Sequence, residues 1–168
     1  AANHIIIATG ARSRELPNLP QDGVKVIGYR QALSLPTQPK SMIVVGSGAI
    51  GVEFADFYNT MGTKVTIVEF MPNIVPVEDE EISKHLEKSL KKSGIDIMTN
   101  ASVESVDTSG NGVKANVKTK DGNITLEADI LLSAVGIAAN IENIGLEEVG
   151  IATDKGRVLV NEWYQTSV

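Results

Sequence analysis

Three glycines spaced as G-x-G-x-x-G carry the clearest chemical signal in the chain. Gly46, Gly48 and Gly51 stand within VVGSGAIGVEFADF, residues 44–57, between an apolar run and a stretch with helical spacing. That context is typical of a turn that binds a dinucleotide. In such a turn Gly46 permits the tight bend, Gly48 lets a pyrophosphate approach the backbone, and Gly51 lets the helix pack on the sheet. The helix N-terminus offers unpaired N–H groups to the phosphates, and the alternative is a structural turn that binds nothing.

An acidic residue follows the glycines at a distance that helps to choose between two related cofactors. Glu69 ends the β-branched run Val65–Val68, about 20 residues after the turn, as expected of a strand followed by a ribose-binding acid. A carboxylate there accepts hydrogen bonds from the ribose hydroxyls of adenosine and repels a 2′-phosphate. No arginine occurs between Thr63 and Ile74 to receive such a phosphate. The sequence therefore predicts NAD rather than NADP, with a solvated surface acid as the alternative.

A second acid, Glu53, lies close to the start of the helix that follows the glycines. An acid in the first turn suits the helix dipole, so a purely structural role is one interpretation. A carboxylate beside a phosphate-binding loop would repel phosphate, and we therefore expect Glu53 to face the nicotinamide end of the dinucleotide.

The patterns around the turn predict an α/β fold. Continuous apolar runs indicate buried parallel strands, and the turn signals SGNG and KDGN indicate antiparallel hairpins. The predicted elements are parallel strands at 42–45, 65–68, 95–98 and 130–135, helices after the glycines and at 79–93, and antiparallel strands at 103–106, 113–117 and 124–126. The apolar stripe of the first helix is expected to consist of Ile50, Phe54, Phe57 and Met61. The sum is a Rossmann-like βαβαβ parallel sheet whose crossover is an antiparallel three-stranded β-meander.

The beginning of the chain does not fit this layout. Residues 4–8 are predicted to form a short buried strand, and the prolines between Ala11 and Pro39 indicate a linker. A self-sufficient domain rarely opens with one strand and a long irregular link, so we expect this strand to belong to a different sheet.

Composition excludes several classes of function. The chain has 168 residues, which is the size of one domain, and a net charge of −6, which argues against nucleic acid or an anionic membrane as a partner. It has no cysteine, so thiol chemistry and thiolate metal sites are excluded within it. The two histidines, His4 and His85, are far apart in sequence, and we assign no metal site. No apolar run is long enough for a membrane helix, and no signal peptide is visible.

Several segments, in order along the chain, resemble the flavoprotein disulfide reductases and above all their dihydrolipoamide dehydrogenase branch. They are IIIATGARSRELP (5–17), VVGSGAIGVEFADFYNTMGTKVTIVEF (44–70), ADILLSAVG (128–136) and GLEEVGIATDKGRVLVNEWYQTSV (145–168). The resemblance covers nearly the whole chain. It implies a strand and linker of an FAD domain at 1–39, an NAD-binding domain at 40–140, and a return towards the FAD domain at 141–168.

The resemblance also implies site residues. The turn Gly46-Ser47-Gly48-Ala49-Ile50-Gly51 corresponds to the NAD pyrophosphate loop, with Ile50 and Glu53 approaching the nicotinamide and flavin. Glu69, followed by Phe70, corresponds to the adenosine ribose site. The remaining implied contacts are Val103 with adenine, Gly136 in the turn after the last strand of the NAD domain, and Thr9 and Gly10 with FAD. One departure is Ile137, which stands where many members have an arginine.

The family's redox cysteine pair and its acid–base histidine have no counterpart in this chain, so we assign no catalytic residue. The parent enzyme is expected to oxidise dihydrolipoamide, pass electrons through FAD and reduce NAD⁺. Its expected partners are lipoyl domains of 2-oxo acid dehydrogenase complexes and a second identical subunit, in the cytoplasm or the mitochondrial matrix. The alternatives are the NAD domain of another disulfide reductase or NADH oxidase, and a stand-alone, non-catalytic NAD-binding module.

Overall fold

The computed structural model describes residues 2–168. The strands are β1 Ala11–Ser13, β2 Val26–Ile27, β3 Ser41–Val45, β4 Lys64–Val68, β5 Asp96–Met98, β6 Ser102–Asp107, β7 Val113–Thr119, β8 Gly122–Ala128, β9 Ile130–Ser133, β10 Ile137–Ala139, β11 Thr153–Asp154 and β12 Arg157–Val158. The helices are α1 Tyr29–Ala32, α2 Ala49–Thr60 and α3 Glu80–Lys92. Ser13–Gly136 form one compact unit, and the residues up to Arg12 form a second with Ile137–Val168. No helix among the described residues is both long and apolar enough to cross a membrane.

A five-stranded parallel sheet in the order β2-β9-β3-β4-β5 forms the centre of the first unit. Both faces are covered, which explains the apolar runs in the central strands β3 and β9. One face packs against α2 and α3 in a core that includes Val52, Ala55 and Leu90. The other face packs against the antiparallel sheet β6-β7-β8. The predicted parallel sheet with an antiparallel meander before its last strand is confirmed.

The meander follows simple alternation. In β7, Val113, Ala115 and Val117 are buried on the side of the parallel sheet, and the residues between them are exposed. The pairing of β6 with β7 shifts between Val103 and Ser105, as at a β-bulge, which bends the edge strand.

Helix α2 packs through a different face from the one predicted. Its buried residues are Gly51, Val52, Ala55 and Tyr58. Phe57 and Met61 from the predicted stripe are each 56% exposed. Gly51 and Ala55 let the start and middle of the helix approach the sheet closely, Tyr58 fills the core towards its end, and the side chains of Phe57 and Met61 are left on the outer face. The predicted stripe is therefore wrong for Phe57 and Met61.

The strand predicted at residues 4–8 is absent. Ile5 and Ile6 are 83% and 89% exposed, and the strand at this end of the chain is β1, which pairs with β10. A strand needs a hydrogen-bonded neighbour, and no described strand pairs with residues 4–8. The predicted linker also contains β2, an edge strand of the parallel sheet, which was not predicted. The functional domain boundaries at 39 and 140 stay a prediction.

A forked ion pair stabilises the second unit. The Arg12 guanidinium donates to both carboxylate oxygens of Glu142, at 2.6 and 3.1 Å, and also to the Asn140 Oδ1 atom at 3.0 Å. The hydrogen bonds from Arg12 hold the pKa of Glu142 well below its usual range, at about 2. Both side chains are about half exposed, so the pair is a local clamp rather than a large source of stability.

Replacing Arg12 with Gln should return the pKa of Glu142 towards the ordinary glutamate value of about 4.3. In the unaltered chain the carboxyl signal of Glu142 should titrate near 2 in an NMR pH series. Because the pKa in the folded state is depressed, the stabilisation is present above the ordinary pKa and is lost as the pH falls towards 2. An unchanged titration in the Arg12→Gln variant would contradict this assignment.

Candidate functional site

The glycine turn connects the carboxyl end of β3 to α2, in the crevice between β3 and β9 where the strand order reverses. Gly46 has φ +95°, in the left-handed region, and its N–H donates to the Val68 carbonyl at 2.9 Å. A Cβ atom at this position would lie 2.5 Å from the carbonyl oxygen of Ala134. Both the dihedral angle and the available space therefore require glycine at 46.

The other two glycines differ in what the fold demands of them. A Cβ atom at Gly51 would lie 2.1 Å from the carbonyl oxygen of Gly46, so α2 can start against the turn only without a side chain there. A Cβ atom at Gly48 would meet nothing within 4 Å, and its φ of −66° suits any residue. The folded chain therefore gives no reason for glycine at 48, whereas a ligand that lies against this backbone would.

The first turn of α2 presents a row of unpaired backbone donors. The first intrahelical hydrogen bond runs from the Val52 N–H to the Gly48 carbonyl. The N–H groups of residues 48–51 have no acceptor in the described part of the chain. The first turn contains no acidic residue, and Glu53 follows just beyond it with an exposed side chain. This end of the helix can bind an anion through backbone groups alone.

Glu69 lies directly beside the turn, at the end of β4. The residue is only 6% exposed, and its carboxylate accepts three hydrogen bonds. The backbone N–H and the hydroxyl of Ser47 donate to its Oε2 atom at 2.7 and 2.6 Å, and the Met71 N–H donates to Oε1 at 2.7 Å. Glu69 is therefore not a solvated surface acid. The sequence identified the acid, but it gave no sign of the bond with Ser47.

The segment after Glu69 is hydrogen-bonded to the acid and to the turn, through the N–H groups of Met71 and Val75. The ring of Phe70 is 75% exposed. Val75, a buried β-branched residue, has φ +39°, which is unusual for its type. Its N–H donates to the Ser47 carbonyl at 2.9 Å. Sequence reasoning missed Val75, because no residue pattern signals a valine at positive φ.

The remaining predicted residues lie in different places. Val103 is 6% exposed, with its side chain in the core between the meander and the parallel sheet. Gly136 follows β9 with φ +107° and open space at its Cβ position. Thr9 and Gly10 belong to the second unit, where both of their carbonyl oxygens accept hydrogen bonds from Asn140. The structure thus groups the glycine turn with Glu69, and the ligand contacts of all these residues stay predictions.

A separate cavity of about 580 Å³ opens at the opposite end of the sheet, near the first residues of its strands. Its lining includes Ser41, Lys64 and Asp96, but neither Glu69 nor any residue of the glycine turn. Within the glycine turn Ala49 is exposed and Gly48 is partly exposed, at the carboxyl edge of the sheet, where an extended ligand can lie across the strands. No group of three or more His, Asp or Glu side chains within residues 2–168 is placed to hold a metal ion.

Fold and site together define a Rossmann-type α/β domain with a glycine turn at the crevice of its parallel sheet. The family model described as pyridine nucleotide-disulphide oxidoreductase matches residues 1–168, and the chain belongs to this family.

Individual relatives agree with this assignment. The chain is 49% identical to a dihydrolipoyl dehydrogenase of Rhizobium etli over 99% of its own length and 35% of the relative's. It is 42% identical to mitochondrial dihydrolipoyl dehydrogenase 2 of Arabidopsis thaliana, over 98% of this chain and 33% of that one. Among solved structures it matches the HOCl-induced flavoprotein disulfide reductase RclA from Escherichia coli with a TM-score of 0.81 and 30% identity, covering 95% of this chain and 36% of the other. The chain thus spans about a third of the length of these relatives.

The two glycines with opposite surroundings should respond differently to the same substitution. Gly51→Val should destabilise the fold strongly, by roughly 3 kcal/mol or more, because its Cβ would overlap a backbone oxygen. Gly48→Val should cost only about 1 kcal/mol, the loss of a favourable N-cap residue. Urea unfolding followed by circular dichroism measures both free energies, and equal losses at the two positions would contradict the assignment.

Proposed function

We propose that this chain is the NAD(H)-binding domain of a dihydrolipoyl dehydrogenase. The observation that carries the proposal is the backbone of residues 48–51, whose N–H groups are unpaired, beside a Gly48 that the fold itself does not require. A pyrophosphate lying against this backbone would accept hydrogen bonds from those N–H groups. Any side chain at position 48 would block the approach of the pyrophosphate. The relative of Rhizobium etli with 49% identity supports the choice of enzyme within the family.

We propose that Glu69 accepts hydrogen bonds from the hydroxyls of the adenosine ribose. Its carboxylate is fixed within hydrogen-bonding distance of Ser47 in the turn, so a dinucleotide bound there would bring its ribose to the same place. The carboxylate retains acceptor capacity beyond its three bonds, which suits ribose hydroxyls. A 2′-phosphate would meet a fixed negative charge instead. NAD is therefore the proposed cofactor, and Phe70 and Val103 are proposed to lie on its adenosine side.

The opposite half of the dinucleotide is proposed to extend past Ile50 and Glu53 towards the nicotinamide. When bound, NAD⁺ supplies the hydride acceptor of the parent enzyme. The residues of this chain would hold the phosphates, fix the ribose and orient the nicotinamide towards a flavin bound mostly by other parts of the enzyme, with Thr9 and Gly10 among the flavin contacts. The 168 residues contain no cysteine to act as the redox disulfide, so by themselves they should not oxidise dihydrolipoamide.

The parent protein is proposed to be a homodimer. Its proposed partners are the lipoyl domains of a 2-oxo acid dehydrogenase complex. Its compartment would be the cytoplasm or the mitochondrial matrix, and the name of the relative of Arabidopsis thaliana describes that protein as mitochondrial. The second candidate is the corresponding domain of a different flavoprotein disulfide reductase, which the similarity to RclA favours. Native sequence on either side of the chain would separate the two, through the spacing of the redox cysteines.

The chain should bind NADH, and Gly48→Val should weaken this binding at least about tenfold because the new side chain would occupy the place of the pyrophosphate. Isothermal titration calorimetry with NADH measures both affinities. A melting curve of the variant serves as the control for folding. Undiminished binding by folded Gly48→Val protein would disprove the proposed phosphate site.

NADP⁺ should bind more weakly than NAD⁺ because its 2′-phosphate would approach the carboxylate of Glu69. The two nucleotides differ only in this phosphate, so the ratio of Kd(NADP⁺) to Kd(NAD⁺) isolates its effect. This ratio should fall in Glu69→Gln, which keeps the size of the side chain and removes its charge. A preference for NADP⁺ in the unaltered chain would overturn the assignment of Glu69.

A further inference from the structure

We propose that Ser47 is a positioning residue that sets the discrimination between NAD and NADP by fixing the carboxylate of Glu69. The inference rests on the proposed function, because it concerns the same nucleotide site. It assigns to a side chain of the glycine turn a role distinct from phosphate binding.

The contacts of Ser47 are directed at Glu69 rather than at the open side of the turn. Ser47 is fully buried. Its hydroxyl and its backbone N–H both donate to one oxygen of Glu69, at 2.6 and 2.7 Å. Its N–H is thereby engaged, whereas the N–H groups that follow it in the turn are not. The hydroxyl is thus one of two donors that determine where one oxygen of the carboxylate lies.

Two further contacts keep this arrangement rigid. Met71 N–H holds the second oxygen of Glu69 at 2.7 Å, so the carboxylate is bonded from both sides. The Ser47 carbonyl accepts from the N–H of Val75, whose positive φ is held by its buried setting. Ser47 therefore joins the glycine turn, the acid at the end of β4 and the segment after it.

Cofactor discrimination depends on how firmly that charge is held. A fixed carboxylate with little exposure to water penalises a 2′-phosphate fully and offers its free lone pairs to the ribose hydroxyls. Without the Ser47 hydroxyl, Glu69 keeps two backbone donors but gains freedom to rotate. It can then turn away from a 2′-phosphate, which lowers the penalty on NADP, and it offers a less well-placed acceptor to NAD.

The test measures dissociation constants for NAD⁺ and NADP⁺ by calorimetry in the full chain. Ser47→Ala should lower the ratio of Kd(NADP⁺) to Kd(NAD⁺) by about three- to tenfold, a range that corresponds to part of a hydrogen bond to a charged group. A merely structural role would weaken both nucleotides alike and leave this ratio unchanged. In a Glu69→Gln background, Ser47→Ala should leave the ratio unaltered, since Ser47 acts through the charge of Glu69.

A second buried serine provides the matched control. Ser133, at the end of β9, is 3% exposed, and its hydroxyl has no hydrogen-bond partner in the part of the chain that the structure describes. Ser133→Ala removes the same group from a buried strand end and should keep the nucleotide ratio. If Ser47→Ala fails to fold, Ser47→Cys replaces the hydroxyl with a slightly larger group that is a weaker donor, and it should shift the ratio in the same direction.

The outcomes separate the two levels of the proposal. If the unaltered chain binds neither nucleotide, the proposed function fails and this inference fails with it. If the chain binds and prefers NAD⁺, but Ser47→Ala and Ser47→Cys keep its ratio, the proposed function stands and the role of Ser47 is disproved. An equal shift of the ratio in Ser133→Ala would also disprove it, because the effect would then not depend on Glu69.

Discussion

The close contact between the first turn of α2 and the glycine turn is the constraint on which the rest of the site depends. Gly51 lies so near the carbonyl of Gly46 that no Cβ atom fits between them, and Gly46 in turn lies against the end of β9. This contact fixes the helix with its free N–H groups at the carboxyl edge of the sheet. The face of α2 that follows from this placement buries Val52, Ala55 and Tyr58, and Phe57 lies on the outside.

A buried polar cluster supplements this steric constraint. Ser47 and Glu69 are both nearly inaccessible to water, yet their polar atoms are paired with each other and with backbone groups. A buried carboxylate is costly unless its oxygens are hydrogen-bonded, and here every donor comes from the turn or from the segment after β4. The acid that we propose binds the ribose therefore also holds the glycine turn in place. A change in either part is felt by the other, because they share these bonds.

Sequence patterns predicted those parts of the fold whose residue types carry local information. The apolar runs of β3, β4 and β9 predicted a parallel sheet, because strands buried on two faces are apolar throughout. The hairpin signals predicted the antiparallel meander, because tight turns have distinct residue patterns. The glycines predicted the turn because no Cβ atom fits at Gly46 or at Gly51 in this geometry. The spacing of Glu69 predicted an acid at the end of the strand that follows the turn.

The errors came from questions that periodicity does not answer. Spacing along α2 identified apolar residues, but the close approach at Gly51 decided which face was buried, and the result exposed Phe57. An apolar run at residues 4–8 cannot specify its own partner strand, and none of the described strands supplies one. The positive φ of Val75 and the bond between Ser47 and Glu69 arise from tertiary contacts, which single residue types do not signal.

The net negative charge of the chain limits how it can bind an anion. A protein of net charge −6 attracts no anion through its overall field, so a phosphate site in it must use backbone dipoles at short range. The stretch around the glycine turn, residues 44–57, contains no lysine or arginine, and the nearest buried charge is the carboxylate of Glu69. At the proposed site, affinity would come from N–H groups that every dinucleotide can use. Selectivity would then come from the negative charge of Glu69, and it would depend on the hydrogen bonds that hold that carboxylate in position.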